Sequence, residues 1–520
     1  EMKEYKLAGF CIRQVAEMCE GSFKTSPVPQ ALVQSFCQNH SKAIECLLEI
    51  ITSQPVPSIF VLLGKIQMKA KKTKDAVESF QQALTILTSS ANILPNTFEA
   101  AEIYYFIGLC YMEQVNLLQT YKNAIEDLTK TIDLDKICIL AYYNRSICYH
   151  QIKDFRKALK DYGILLLLES SKEIVFTVLI NRALVYVELD DYFNALEDFK
   201  EATLNNPSDS RIYQAIGICY HRLEQFEEAV KSFTQVLKLD PFSLDAYVAR
   251  GNSYMEYGHE AGNIQAQKDF LKALHLNPKC VKARICLGYN LQALGKFQKA
   301  WNQFTVAIDI DPKCHVAYDG RAVVCLQMGD TSAAFQDTNA ALKLTTNAQL
   351  LTNRGVINQF MGYLNCAMKD YQQAISINPD YALSYFNAAN IYFHHRQFSQ
   401  ANSYYSKALQ LDPRNESAVM NRAITNTLLQ NIEEAKEDFE KAICLCPVSA
   451  AVYFNRANLY ITLKQYELAE KDISTALSIQ PNDALMYKLR ADVRGKMGFS
   501  EEAIADYKQA ISIQEMVNAI

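Results

Sequence analysis

Apolar and small side chains recur along this chain at helical spacings, and the helical segments recur at a longer period. Ala401, Tyr405 and Ala408 stand at i, i+4 and i+7 and therefore share one helical face. The alanine that opens this triplet has a counterpart in every unit: Ala76, Ala124, Ala158, Ala195, Ala229, Ala266, Ala300, Ala334, Ala367, Ala401, Ala435, Ala469 and Ala503. Four residues after it there is usually an aromatic, such as Phe80, Tyr162, Phe233 or Phe439. Twelve residues before it most units carry a small residue, such as Gly64, Ser146, Ala183, Gly217 or Gly355. Prolines mark the period: Pro207, Pro241, Pro278, Pro312, Pro379, Pro413, Pro447 and Pro481 are separated by 34, 37, 34, 67, 34, 34 and 34 residues. The interval of 67 is two units, one of which has lost a residue.

Each unit predicts a helix, a short turn such as Leu-Gly-Lys-Phe at 294–297, and a second helix that stops at Asp-Pro or Asn-Pro. Proline has no N–H for a helix interior and biases its predecessor away from helix. Small residues on the paired helices let them approach closely. One pair cannot bury its apolar faces alone, so neighbours stack and the core becomes continuous. The expected fold is all-α, an α-solenoid of thirteen units over residues 58–520. Before it comes a helical segment, 1–57, with one degenerate unit around Ala43 and Pro55. Insertions around 89–97, at 113–120, before Val178 and at 258–263 are expected in connections between helices.

The unit Tyr385, Ala389, Tyr392, Ala401, Tyr405, Ala408, Pro413 resembles the 34-residue pattern of the tetratricopeptide repeat family. The position the family often fills with Trp is mostly Tyr here, as at Tyr142, Tyr247, Tyr318, Tyr453 and Tyr487. The resemblance implies a right-handed superhelix of about 13–14 helix-turn-helix repeats. The first helix of each repeat would line a concave wall that binds segments of other proteins. Members that grip a C-terminal carboxylate use a Lys and an Asn on one inner helix, with basic residues on the next two. The matching positions here read Phe386 and Asn390, Met420 and Ile424, then Phe454 and Asn458, so that clamp is not expected. Long members occur in ciliary transport, ubiquitin ligase and chaperone assemblies. By resemblance, the cytoplasm is the expected compartment and the cilium a candidate within it.

One column carries candidate chemistry. Two residues before the small position stand Asn144, Asn181, Asn353, Asn387, Asn421 and Asn455, whereas the intervening units have Ala215, Ala249, Cys286 and Gly320. Asparagine is a poor helix former, and its amide offers a donor and an acceptor suited to a peptide backbone. In peptide-binding members of the family an asparagine at this position does that work; the plainer reading is that Asn is common there in the family pattern. Phe386, Met420 and Phe454 precede three of these residues, and Phe393 follows Asn387 by six positions. Apolar walls around an amide row suit an extended or helical segment with hydrophobic side chains. Some of these side chains are expected to belong to the core instead.

Length and charge narrow the function. Almost every one of the 520 residues falls in a repeat, which leaves no room for a separate catalytic domain. A net charge of −5 gives no field for phosphates, so nucleic acid is not an expected partner. The run Lys69, Lys71, Lys72, Lys74 reads as a solvated connection. No apolar stretch approaches the roughly 20 residues that span a bilayer, and no membrane association is expected. Fifteen cysteines without a Cys-x-x-Cys pair fit neither a disulfide framework nor a zinc site. His394 and His395 are adjacent on a helix, about 100° apart, and do not readily share an ion. We therefore expect no catalytic residue, metal or cofactor. The expected function is a protein-interaction scaffold with protein or peptide partners, and the open solenoid ends are candidate surfaces for weak self-association. The alternative is the substrate-recruiting part of a larger enzyme or glycosyltransferase-like chain, which the start at Glu1 leaves open.

Overall fold

The computed structural model describes residues 27–518 apart from 37, 54, 90–96, 115–117, 169–170 and 259. Most of the N-terminal half of segment 1–57, nearly all of the insertion around 89–97 and the centre of that at 113–120 lie outside the described residues. Among the described residues there are 28 helices and no strand, arranged as consecutive hairpin pairs. We call the two members of a pair helix A and helix B. The degenerate unit is a complete pair, Pro27–Phe36 with His40–Ser53, in which Ala31 and Ala43 keep the twelve-residue spacing and are both 0% exposed.

The chain divides into two compact units, Glu1–Gly258 and His259–Ile520. The division falls at the three-residue insertion, between the helices Leu244–Glu256 and Glu260–Leu276. Within each unit a helix A packs on its own helix B and on the helix B before it, and in places on the preceding helix A. The A helices therefore form one wall of each unit. The last helix, Ser500–Asn518, is the longest of the described helices and contains neither proline nor glycine.

The alanine column is buried throughout, all thirteen being 0% exposed except Ala503, at 5%, and within each unit it forms the seam of the helix pairs. The small residues of helix A serve a specific neighbour. A Cβ on Gly217 would stand 2.5 Å from the ring of Phe233, and one on Gly288 would stand 2.6 Å from that of Phe304. The aromatic ring of helix B thus lies against the helix A backbone, and the small residue makes room for it. Burial of one such ring stabilises by about 1.5–3 kcal/mol.

The connections are equally regular. Five residues before the alanine column the chain takes a left-handed turn, at glycine in Gly295, Gly329, Gly362 and Gly498 but at a side-chain-bearing residue in Lys153, Asp190, Glu224, Gln430 and Lys464. At the other end of the pair, the Asp or Asn before proline folds back on its own loop. Asp240, Asp311 and Asn378 each accept the N–H two residues on, at 3.0–3.1 Å, the Asx turn that makes these residues favoured there.

Candidate functional site on the wall of A helices

The asparagine column lies along this wall, half-buried throughout. Four of the six amides reach back to the preceding helix A. Asn144 donates to the Tyr105 hydroxyl at 3.2 Å, Asn181 to that of Tyr143 at 3.1 Å, and Asn353 to the Asp319 carboxylate at 2.7 Å. Asn421 donates to Asn390 Oδ1 at 3.1 Å, and Asn455 to the Ala451 carbonyl at 2.8 Å. Among the described residues, Asn387 has no side-chain hydrogen bond, although it stands in the middle of the row. Asn144 also donates to the Leu140 carbonyl at 2.9 Å and Asn455 to Met420 Sδ at 4.0 Å, so these two keep only their carbonyl lone pairs, whereas an amide with one N–H engaged keeps its second as well. Asn144 and Asn181 belong to the first unit and the other four to the second.

The apolar neighbours are also half-buried, with one side turned to the core. Phe386 sits 6.0 Å from the Tyr405 ring and Phe393 5.6 Å from that of Phe398. Met420 packs on the core around Phe439, and Phe454 on the core around Ile473.

A second column, immediately after the asparagines, is one that the periodicity of apolar residues does not reveal. Arg145, Arg182, Arg321, Arg354, Arg422, Arg456 and Arg490 each grip an aspartate sixteen residues on, with both carboxylate oxygens held at 2.6–3.0 Å. The bidentate fork matches the carboxylate geometry. Several of these guanidinium groups also reach back sixteen residues to a hydroxyl of the preceding helix B, as Arg145 does to Thr129 and Arg422 to Ser406, each at 3.1 Å. Arg145, Arg321 and Arg490 lie over the rings of Tyr142, Tyr318 and Tyr487 at 5.4–5.9 Å, so the tyrosine that replaces the family's Trp supports the cation. Six of the seven arginines join three helices in this way, and Arg182 joins two. Because neighbouring residues on a helix point about 100° apart, fixing the arginine between B helices turns the preceding asparagine to the wall. The signal was present as Asn-Arg-Ala at 181–183, 421–423 and 455–457, and as Asp three residues after the alanine column.

Asp319 departs from this pattern. It lies on the wall at 5% exposure and receives only neutral donors, Asn353 at 2.7 Å and Gln349 at 3.2 Å. Burial pushes its carboxyl above the ordinary value, with the Asn353 and Gln349 amides and then His315 pulling the other way.

Tetratricopeptide repeat models match residues 210–243, 348–381, 382–415 and 450–483. The chain is 58% identical over 428 residues to human tetratricopeptide repeat protein 6, covering 82% of this chain and 82% of that protein. It belongs to the tetratricopeptide repeat family. Two more distant relatives share the repeats. One is the Schizosaccharomyces pombe homolog of DnaJ homolog subfamily C member 7, 25% identical over 54% of this chain and 64% of its own length. The other is the human mitochondrial import receptor subunit TOM70, 25% identical over 61% of this chain and 50% of its own. Tetratricopeptide relatives of this kind support a protein-interaction scaffold. Among the described residues, no helix is long and apolar enough to cross a membrane, and no group of three or more His, Cys, Asp or Glu is placed to hold a metal ion.

Proposed function

We propose that this chain is a non-enzymatic scaffold of tandem repeats, continuous over residues 58–520, whose wall of A helices binds extended or helical segments of partner proteins. The observation that carries this reading is the asparagine row of the second unit, with Asn387 unengaged between Phe386 and the core-anchored Phe393 and Met420. A partner backbone laid along the row would meet amides at the repeat period and apolar surfaces beside them. By resemblance we place the scaffold in the cytoplasm, the cilium included. Nucleic acid and membrane are not assigned as partners.

Asn387 is the cleanest probe, because removing its amide breaks no bond within the fold. A backbone hydrogen bond contributes about 0.5–1.5 kcal/mol net, so Asn387→Ala should weaken binding of a partner segment roughly two- to tenfold. Its melting temperature should stay at the wild-type value or rise, since alanine is the better helix former. Asn421→Ala should weaken binding and also lower stability, through the lost bond to Asn390. Titration of a segment mapped by proximity labelling and co-purification, alongside circular dichroism, checks both. Unchanged affinity in Asn387→Ala would move the binding surface off the row.

A further inference from the structure

The first three A helices of the N-terminal unit, Pro27–Phe36, Pro57–Lys69 and Thr97–Glu113, enclose a groove of about 790 Å³. Its apolar lining comprises Leu32, Phe36, Leu62, Ile66, Met68 and Phe106. Two of these are open to solvent, Leu32 at 49% and Phe36 at 40% exposure, although each sits on a helix that contributes to the core. Contiguous apolar surface of this kind is a mark of an interaction site. A second observation points the same way. The Ser35 hydroxyl lines the groove, is 7% exposed and has no hydrogen-bond partner among the described residues, a condition that a bound polar group relieves.

The charge around the groove selects the occupant. Lys65 and Lys69 line it, and the chain continues directly into Lys71, Lys72 and Lys74. Lys65 is paired with Glu102 at 2.8 Å. Among the described residues, Lys69, Lys71, Lys72 and Lys74 form no ion pair. Among the described residues, Glu113 is the one acid of the lining. The chain as a whole carries −5, so this lysine cluster is a local reversal of its field.

We propose that this groove receives an amphipathic helical segment of a partner protein, whose apolar face covers Leu32, Phe36 and Leu62 and whose acidic flank meets Lys69, Lys71 and Lys72. The inference rests on the reading of the A-helix wall as a partner-binding surface, but it uses other helices than the asparagine row and charge in place of amides, so Asn387→Ala leaves it untouched. Helix-in-groove binding calls for apolar anchors at i, i+3, i+4 and i+7, and the lysines add orientation and on-rate.

The test uses the full chain and two fluorescent synthetic helices of about fifteen residues, both with leucine at the anchor spacing. One carries glutamate on its outer face and the other lysine. Anisotropy titration should show the acidic helix binding at least tenfold tighter, with the preference shrinking between about 50 and about 500 mM salt. Lys69→Glu with Lys72→Glu should reverse the preference. Leu32→Glu should weaken the acidic helix at least tenfold, while circular dichroism stays at the wild-type level for both variants. Equal affinity for the two helices, or a preference that survives the lysine reversal, overturns the proposal. Two further results would replace the partner by another occupant. A tenfold gain in affinity on deleting residues 1–26 would assign the groove to the chain's own N-terminal segment. A concentration-dependent mass abolished by Leu32→Glu would assign it to a second copy.

Discussion

Single side chains decide how closely the helices of a pair approach, and the glycines separate two roles. Gly217 lies beneath the Phe233 ring, whereas a Cβ on Gly495, inside Ala484–Met497, would meet nothing within 4 Å. Gly217→Ala should therefore destabilise by about 1–3 kcal/mol through overpacking. Gly495→Ala should stabilise by about 0.5–1 kcal/mol through helix propensity, and chemical melts of the two variants read the difference directly. Asp319 supplies a pH test. Its carboxyl is raised in the folded chain by burial, so the fold binds the proton more tightly than the unfolded chain does. The charged form therefore costs stability above the folded value, and the cost disappears as pH falls below the unfolded carboxylate value of about 3.9. Asp319→Asn should melt higher than wild type near neutrality, with the gap closing as the solution is acidified. The alanine column and its aromatic were readable from the sequence because each is a single residue type at a fixed interval. The isolated burial of Asp319 was not readable, since it depends on Asn353 and Gln349 arriving from the next repeat.

At the scale of helices, two devices hold the array: rings laid on small residues, and the arginine that joins three helices. The second is part-buried. Arg422 is 23% exposed and Asp438 7%, so removing one partner leaves a charge without its counter-ion. Asp438→Ala should cost about 3 kcal/mol. Replacing Arg422 and Asp438 together by Met and Leu should cost much less, which thermal melts of single and double variants distinguish. Helix boundaries were legible where proline ends helix B or a glycine turn opens the next helix. They were less so at Ser500–Asn518, which contains neither proline nor glycine. The left-handed turns at Lys153, Asp190 and Lys464 were hidden as well, because these residues carry no conformational signature of a positive φ. The arginine column escaped because it is polar and its aspartate lies sixteen residues away, outside the reach of any single-helix pattern.

At the scale of the whole chain, the last described repeat exposes side chains whose counterparts earlier repeats bury. Ile511 is 57% exposed, while Leu477, Leu409 and Ile308 at the same position of earlier repeats are 5%, 5% and 8%. Tyr507 is likewise 38% exposed where its counterparts Phe439 and Tyr371 are 0%. These side chains are shaped for a following helix A. Self-association through this surface predicts a mass that rises with concentration in sedimentation equilibrium and that Ile511→Glu lowers; a mass equal to that of wild type at every concentration would show that this end does not drive association. The period and the fold class were legible over the whole length because every repeat restates them, and the asparagine row only as a column that four intervening units interrupt. How each asparagine spends its amide was not, because that is settled between repeats. The arginine fork also gives the array a direction during synthesis. As the chain leaves the ribosome, the guanidinium of Arg145, Arg321, Arg422 or Arg490 emerges sixteen residues after the hydroxyl it reaches in the finished repeat before it, and sixteen residues before its own aspartate. A repeat that carries this fork is thus born anchored to its elder neighbour and awaiting its counter-charge, which favours folding from the N-terminus onward, one carboxylate at a time.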